Sequence, residues 1–401
     1  MPDPMDDAPA QDAGPIYSPI EPSHAASPHD RLRTLRSTCP VYQPMDDTWV
    51  VTLDGLARDV LRDHKTYSSY QNGTLVPMPD EELLLSQVDP PRHTVLRRFF
   101  QAVLSPRAIA SVEPYVEELC ASLLNEIEAN ESTDLMDAFI SQVPSRVTMR
   151  ILGMDGTRLD DLRRWVDDFF THAIFGLDAV PSWPECKAYL HALIAERREA
   201  TERPDDFLTT LIEADIEGDT LTDVDIRSVL FIFLSGGIET TAGLLGNLVR
   251  RLIENDLWEA VRNDRSLVQA AIEESLRLDP PVAWMLRTAT AGHDLHGQQI
   301  REGDRLFVSF QGANRDEAQW TAPDEFRLDR EAGRDHLAFG HGSHYCVGAP
   351  LARLEARIAL NALLDRFAAL ALADEFRFEK HGSFMLHGPV HLPVTVVPSS
   401  A

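Results

Sequence analysis

Apolar residues recur with a helical period of about 3.6 residues along most of the chain, which predicts a mainly helical protein. The predicted helices are Leu56–Asp63, Thr94–Gln101, Val112–Ala129, Leu159–Phe170, Trp183–Arg198, Asp205–Ala214, Thr222–Glu254, Leu267–Leu278 and Leu351–Leu370. Short strand-like stretches lie at Trp49–Thr52, Leu306–Phe310, Phe376–Glu379 and His391–Val397. Because strands and helices do not alternate, we expect a mainly α fold with small antiparallel β-sheets, and no GxGxxG dinucleotide loop is present.

Residues 1–29 differ in composition from the rest of the chain. They are rich in proline and acids and contain no Lys or Arg. Such a segment has little apolar surface to bury, so we expect a disordered or loosely attached acidic leader. Residues 30–401 contain no internal repeat or second linker and are expected to form a single domain.

Charge and cysteine content exclude several classes of function. The 37 Lys and Arg residues face 64 Asp and Glu residues, a formal net charge of −27. Such a surface repels nucleic acids and anionic lipids. The sequence starts without a basic or apolar segment and has no long uncharged apolar run, so we expect neither secretion nor a membrane span. The scattered cysteines Cys39, Cys120, Cys186 and Cys346 form no CxxC pair, which is typical of a cytoplasmic protein.

The longest predicted helix has a weak centre. Gly236 and Gly237 lie next to each other in it, and each costs about 1 kcal/mol relative to alanine. Glu239 and Thr240 follow, and the Thr240 hydroxyl can bond a carbonyl one turn back along the helix. One interpretation is a close helix crossing beside a partnered acid. The other is a ligand that approaches the glycines and uses the acid and the hydroxyl.

The segment Phe339–Gly348 is rich in glycine and ends just before the predicted helix Leu351–Leu370. Cys346 lies where the exposed N–H groups and the dipole of that helix would stabilise a thiolate. Two other interpretations remain open here. Cys346 is a structural cysteine in a loop, or it joins His341 and His344 in a zinc site, although this spacing matches no common zinc pattern.

The same segment resembles the haem-binding loop of the cytochrome P-450 monooxygenases, in which an F-G-x-G-x-H-x-C-x-G stretch provides the thiolate ligand of the iron. The fixed positions of that pattern match at Phe339, Gly340, Gly342, His344, Cys346 and Gly348. Leu351-Ala352-Arg353 continues as in bacterial members of the family.

The resemblance extends over residues 30–401. Glu274 and Arg277 resemble the E-x-x-R pair of the family, and Arg330 falls where a third residue of this buried structural network is expected. Gly236–Thr241 resembles the oxygen-binding groove of the distal helix. Asp89–Arg97 resembles the start of the helix beside the haem propionates, and Ala313–Asp316 matches another recurrent bacterial segment.

This resemblance implies the cytochrome P-450 fold, a triangular helical prism that encloses haem b. Cys346 would be the axial thiolate of the iron, and Glu239 and Thr240 would be the catalytic acid–alcohol pair that delivers protons. The residues implied to bind the cofactor are His93, Arg97, Arg287, His344, Phe339, Gly236, Gly237, Gly340 and Gly348.

The implied activity is that of a soluble bacterial haem-thiolate monooxygenase. It would insert one oxygen atom from O2 into a C–H or C=C bond of a small hydrophobic substrate such as a terpenoid, aromatic or polyketide. Electrons from NAD(P)H would arrive through a reductase and a ferredoxin or flavodoxin, and the enzyme would act as a monomer. The alternatives are a peroxide-driven peroxygenase, which should need no acid–alcohol pair, and a non-catalytic haem sensor.

The resemblance also indicates where substrate and redox partner bind. The implied substrate pocket is lined by the loop around Leu75–Leu85 and by the stretches Phe169–Phe175, Ile232–Gly236, Val282–Met285 and Phe384–Met385. The residues expected to form it are Leu75, Val76, Phe170, Ile232, Ser235, Val282, Ala283, Trp284, Met285, Phe384 and Met385. We expect Ser235 to bond a polar substituent and Trp284 to favour a compact, flat substrate. The expected basic docking patch for an acidic partner consists of Arg92, Arg98, Arg334, His341 and Arg353.

Overall fold

The computed structural model describes residues 16–127, 132–154, 156–216, 218–330 and 335–399. Within them the α-helices are α1 (Pro22–Ala26), α2 (His29–Thr38), α3 (Asp54–Arg62), α4 (Arg92–Val103), α5 (Pro106–Asn125), α6 (Gln142–Leu152), α7 (Leu159–His172), α8 (Trp183–Glu199), α9 (Phe207–Glu213), α10 (Asp223–Gly237), α11 (Glu239–Glu254), α12 (Trp258–Asn263), α13 (Val268–Leu278), α14 (Phe310–Ala313) and α15 (Ala349–Arg366). The strands are β1 (Val41–Met45), β2 (Thr48–Val51), β3 (Tyr67–Ser68), β4 (Ser132–Asp134), β5 (Asp215–Ile216), β6 (Asp219–Thr220), β7 (Trp284–Ala289), β8 (His293–Leu295), β9 (Gln298–Ile300), β10 (Arg305–Ser309), β11 (Phe367–Leu372) and β12 (Pro393–Pro398).

The strands form four small sheets, and the prediction of a mainly helical protein is confirmed. The largest sheet has the order β1-β2-β10-β7-β3, and a second has the order β11-β12-β4. Strands β5 and β6, and β8 and β9, form two-stranded sheets. The largest sheet is mixed, because β10 runs parallel to β2 and antiparallel to β7. The expectation of purely antiparallel sheets is therefore wrong at this one pairing.

Helices α10 and α11 run through the centre of the helical layer. Helix α10 contacts α6, α8 and α9, whereas α11 contacts α13 and α15. Thr222 and Asp225 start α10 with a capping box. By length and composition, the stretch Asp223–Glu254 could cross a membrane. However, 72% of its most apolar 18 residues are buried within the protein, as in a core helix.

Near the C-terminus, one predicted strand is wrong and one predicted helix is too long. The predicted strand Phe376–Glu379 has no strand partner among the described residues, and only an isolated bridge joins Lys380 to Pro389. The predicted helix Leu351–Leu370 ends at Arg366, and its last residues belong to β11. Strand β11 pairs with β12, and this long-range pairing overrides the local helical pattern.

The loose leader predicted over residues 1–29 is wrong for its second part. Tyr17 is only 2% exposed and lies in a buried cluster with Leu32, Leu35 and Trp284. His24 accepts a hydrogen bond from the Ser18 N–H at 3.0 Å, and α1 lies within this segment. Residues 1–15 of the predicted leader lie outside the described residues.

Candidate active site

The cysteine loop is held by close backbone packing. Gly340 and Gly342 both have a φ of 72°, a conformation that side chains rarely allow. A Cβ atom on Gly342 would lie 2.8 Å from the Leu61 carbonyl oxygen at the end of α3. The Cys346 N–H donates to the Phe339 carbonyl at 2.9 Å and closes the loop. The thiol is therefore fixed at the start of α15.

Cys346 differs from the buried cysteines of the chain. Burial raises the pKa of Cys120 and Cys186 to about 12, so both are inert thiols. Burial also raises the pKa of Cys346, but hydrogen bonds from the Gly348 and Ala349 N–H groups oppose this effect. Cys346 is nevertheless exposed to solvent. A ligand could therefore reach the sulfur.

The weak centre of the long helix is a true interruption, because α10 ends at Gly237 and α11 begins at Glu239. The Thr240 hydroxyl donates to the Gly236 carbonyl at 2.5 Å, as the sequence predicts. The two glycines have different roles. A Cβ atom on Gly237 would lie 2.9 Å from Thr148 Oγ1, whereas one on Gly236 would meet nothing within 4 Å. The close helix crossing therefore explains Gly237, and Gly236 faces open space.

Glu239 lies half-buried beside this interruption. Burial raises its pKa, the negative charge of Asp167 raises it further, and His381 and Arg163 act in the opposite direction. His381 Nε2 lies 2.8 Å from an Asp167 carboxylate oxygen at the surface of α7. A carboxyl group with a raised pKa, one residue from a helical hydroxyl, is suited to hold and pass a proton.

Four nitrogen-containing side chains lie near one another: His93 and Arg97 from α4, Arg287 from β7, and His344 from the cysteine loop. The rings of His93 and His344 lie 4.0 Å apart between centroids. Arg97 donates to the Tyr345 carbonyl at 2.7 Å. Burial, followed by the charge of a nearby arginine, lowers the pKa of His93 to about 4 and of His344 to about 2. Burial also lowers the pKa of Arg287 to about 10, so this cluster is costly to leave without an anion.

The cluster fits the carboxylates of haem. Neither Arg97 nor Arg287 forms an ion pair with an acid in the part of the chain that the structure describes. Unpaired guanidinium groups of this kind bind carboxylates well, and Arg can do so bidentately. The chemistry of the Cys346 thiol and of these donors, and the open space at Gly236, fit a haem with a sulfur ligand.

The structure brings Glu274 together with Arg277 and Arg330. The ion pair between Glu274 and Arg277 is buried and not exposed to solvent. Glu274 Oε1 accepts from Arg277 and from Arg330, both at 2.8 Å, and from the Arg327 N–H at 2.9 Å. Arg277 also donates to the carbonyls of Asn314, Pro323 and Glu325. This network therefore ties α13 to the segment that precedes the cysteine loop.

A second buried network was missed in the sequence. Glu273 accepts from Arg353 at 2.8 Å and lies 3.1 Å from His336 Nε2. Although burial raises the pKa of Glu273, hydrogen bonds from His336 and Arg353 hold it at about 2. The position of Glu273 next to Glu274 was the available signal, since two adjacent acids on one buried helix each need a partner.

An apolar cavity lies beside Gly236 and Thr240 and has a volume of about 140 Å³. The predicted pocket residues that line it are Phe170, Ile232, Ser235, Val282, Trp284, Met285, Phe384 and Met385. Leu75, Val76 and Ala283 are not among the residues that line it. Leu75 and Ala283 use their N–H groups to bond Ile174 and Met385, and Val76 is 37% exposed at the surface.

Sequence reasoning missed part of the lining. Met78, Leu84, Phe169, Ala173 and Ile174 line the cavity and lie within the predicted ranges. The missed residues are mostly in the loop before α4, and they are Asn72, Gly73, Thr74, Ser86, Gln87, Leu177 and Ser383. Their irregular loop positions leave no periodic signal.

The expected role of Ser235 needs correction, and the contacts of Trp284 fix its ring. The Ser235 hydroxyl donates to the Phe231 carbonyl at 2.9 Å within its own helix, so that hydrogen is not directed at a substrate. Trp284 donates to the Phe384 carbonyl at 3.0 Å, and its ring packs edge-on against Phe307. Trp284 therefore shapes the wall of the cavity through its fixed ring.

Some of the basic residues of the expected docking patch form ion pairs with acids of the chain. Arg92 pairs with Asp225 at 2.7 Å, and Arg353 is held by Glu273. Arg334 lies outside the described residues. Arg98 is exposed on α4, and His341 lies half-buried near Arg58 and Arg62.

Comparison with known proteins gives consistent matches. A family model described as cytochrome P-450 matches residues 157–390. A cytochrome P-450 of Saccharopolyspora erythraea is 38% identical over 329 residues, which are 79% of this chain and 78% of that protein. The erythromycin C-12 hydroxylase of the same organism is 33% identical over 91% of this chain and 93% of its own length.

Solved structures agree with the sequence relatives. A mutant cytochrome P-450 in complex with erythromycin B is similar with a TM-score of 0.83 and 32% identity, over 93% of this chain and 97% of that chain. A cytochrome P-450 from Chondromyces apiculatus is similar with a TM-score of 0.85 and 29% identity, over 95% of this chain and 98% of that chain.

Proposed function

The chain belongs to the cytochrome P-450 family, and on this premise we propose that it hydroxylates or epoxidises a compact, mostly apolar substrate with electrons from a separate ferredoxin system. The relatives named for an activity are monooxygenases and hydroxylases. The observation that carries the proposal is the solvent-accessible Cys346 thiol close to Arg97, which pairs with no acid among the described residues, together with the apolar cavity beside Gly236 and Thr240.

The chain's own residues have distinct roles in this proposal. Haem with a thiolate ligand activates dioxygen for insertion of one oxygen atom into a C–H or C=C bond. Cys346 holds the iron, and Arg97, Arg287, His93 and His344 hold the propionates. The glycines of the cysteine loop would let its backbone approach the haem, and Phe339 would be a further binding residue.

Thr240 and Glu239 move protons in this proposal. The Thr240 hydroxyl donates to the Gly236 carbonyl and can exchange that bond for one to a neighbouring oxygen. Burial keeps the pKa of Glu239 raised, so its carboxyl group can carry a proton toward Thr240. A peroxide-driven peroxygenase would not need this pair, and a haem sensor would need neither the pair nor turnover.

The size and chemistry of the cavity support a compact substrate. A cavity of about 150 Å³ accepts a benzene-sized ligand, and this cavity of about 140 Å³ is similar. Several polar side chains in the cavity wall form hydrogen bonds within the protein and are not free to bond a ligand. Asn72 accepts from the Leu286 N–H, Gln87 bonds the Leu84 N–H and the Asn72 carbonyl, and Ser235 bonds its own helix. A small terpenoid or aromatic ring system therefore fits better than a highly oxygenated molecule.

We also propose that electrons from NAD(P)H pass through a reductase and an acidic ferredoxin or flavodoxin to a monomeric enzyme in the cytoplasm. Tyr345 of the cysteine loop is exposed, and its carbonyl accepts from Arg97 of α4, so such a partner can dock on the face formed by this loop and α4. The test is reconstitution of the holoprotein with a ferredoxin and its reductase, using a panel of terpenoid and aromatic ligands selected by their shift of the haem spectrum. Product that depends on the ferredoxin supports the proposal. Product with peroxide alone supports the peroxygenase, and ligand binding without product under either condition supports the sensor.

A further inference from the structure

The loop between β3 and α4, residues 69–91, covers the apolar cavity. It contributes Met78, Leu84 and Ser86 to the cavity wall. Only two short 3₁₀ turns, Asp80–Glu82 and Leu85–Gln87, give this loop regular structure. The position of the loop thus depends on its contacts with the helices around it and with β7, where the Leu286 N–H donates to Asn72.

One acidic side chain connects this loop to two helices. Glu82 contacts Lys187 of α8 with one carboxylate oxygen and Arg227 of α10 with the other, the latter at 3.3 Å. The Glu82 side chain is 11% exposed and that of Arg227 is 4% exposed. Arg227 also donates to the Glu81 carbonyl, and the neighbouring Ser228 hydroxyl donates to the Leu83 carbonyl at 3.1 Å. We call the contacts of Glu82 with Lys187 and Arg227 the Glu82 clasp.

The chemistry of the Glu82 clasp favours two discrete loop positions. A buried ion pair contributes little net stability compared with apolar packing, but losing one partner leaves a buried charge without compensation. The closed position is therefore well defined and depends on all three charges being paired. An open position would return these charges to water, where each is solvated, and would enlarge the cavity without exposing the apolar contacts between α8 and α10.

We propose that Glu82 is a specificity-determining residue, because its clasp holds loop 69–91 in the position that limits the cavity to compact ligands. A larger ligand enters only when the clasp opens, so the clasp lowers the association rate constant of that ligand. This inference rests on the proposed function, in which the substrate binds in this cavity beside the haem.

The test compares holoprotein variants in the rate at which two haem ligands bind. Imidazole is small enough for the closed cavity, whereas clotrimazole is far larger, and both ligate haem iron through nitrogen. The variant is Glu82→Gln, and the matched control is Glu81→Gln, which removes the same charge from an exposed side chain in the same turn. Stopped-flow absorbance at the main haem band gives the association rate constants.

We expect Glu82→Gln to raise the association rate constant of clotrimazole at least about tenfold, a factor that corresponds to about 1.4 kcal/mol. The rate constant for imidazole should stay within about twofold, because a small ligand does not need the clasp to open, and Glu81→Gln should match the parent for both ligands. Lys187→Met, which removes the more exposed partner of the clasp, should change clotrimazole binding in the same direction. It also serves as the test if Glu82→Gln does not yield holoprotein.

Other results would overturn the inference. An unchanged clotrimazole rate in Glu82→Gln and Lys187→Met, or an equal increase for imidazole and clotrimazole, would show that the clasp does not select by size. The same clotrimazole increase in Glu81→Gln would assign the effect to surface charge. If imidazole produces no spectral change in the parent protein, the proposed haem function fails first, which separates that failure from a failure of the clasp.

Discussion

Replacing Glu274 with alanine should strongly destabilise the protein and reduce its haem content. The Glu274 side chain is 2% exposed and that of Arg277 is fully buried. Removing the carboxylate deletes acceptors for Arg277, Arg330 and the Arg327 N–H. The guanidinium group of Arg277 would then be a buried charge without an acidic partner.

The size of the effect follows from these contacts. Removing one partner of a buried ion pair costs about 3–5 kcal/mol. Arg277 retains bonds to the carbonyls of Asn314, Pro323 and Glu325, so its hydrogen-bonding groups are not all left unsatisfied, and the cost should stay within that range. Proteins are stable by about 5–15 kcal/mol in total, so this loss is a large fraction of the whole.

The assay is urea unfolding followed by circular dichroism, together with the haem content of the purified protein. Glu259→Ala is the matched control, because Glu259 is an exposed acid on helix α12 and such substitutions stay within about 0.5 kcal/mol. We expect a much lower unfolding midpoint and little haem in Glu274→Ala, with both normal in the control. Equal stability of the two variants would refute the conclusion that the network ties α13 to the segment before the cysteine loop.

Two further predictions concern the proton pair and the second network. Thr240→Ala should lower the product formed per electron consumed, because general acid–base groups contribute on the order of 10²–10⁴-fold to the rate. Thr240→Ser keeps a hydroxyl and should retain coupling. An unchanged yield in Thr240→Ala would contradict the assigned role. Hydrogen bonds from His336 and Arg353, acting against burial, lower the pKa of Glu273 from 4.5 to about 2, so its stabilising effect is present above pH 4.5 and lost as the pH falls toward 2. The stability deficit of Glu273→Gln in urea unfolding should therefore be full at neutral pH and shrink below pH 4.5; a deficit independent of pH would argue against this pairing.

The sequence predicts those features that depend on local pattern. The periodic helices, the glycines of the cysteine loop and the hydroxyl bond of Thr240 follow from residue type and spacing. Features set by distant segments were not predictable. Phe367–Leu372 has a helical pattern but becomes β11 because β12 pairs with it. Tyr17 lies in a segment of unfavourable composition, yet a cluster formed by α2 and β7 buries it.

The residues of the candidate site likewise divide into those that the sequence predicts and those that depend on distant segments. Spacing locates Cys346 and Glu274, but it could not distinguish Gly237, which faces Thr148, from Gly236, which faces open space. Leu75 and Val76 are adjacent to cavity residues in sequence, but the Leu75 N–H bonds the Ile174 carbonyl, Val76 is exposed, and neither residue lines the cavity. Side-chain direction in an irregular loop depends on its tertiary contacts, and the sequence alone does not contain it.

The most direct test of the central claim is the carbon monoxide spectrum of the reduced holoprotein. Cys346 is the accessible thiol at the start of α15, whereas Cys120 and Cys186 are buried with a pKa of about 12. If Cys346 is the iron ligand, Cys346→Ser abolishes the red-shifted band that marks thiolate ligation, because a hydroxyl is a much poorer donor to iron, and Cys120→Ser and Cys186→Ser retain it. A red-shifted band that persists in Cys346→Ser would contradict the account.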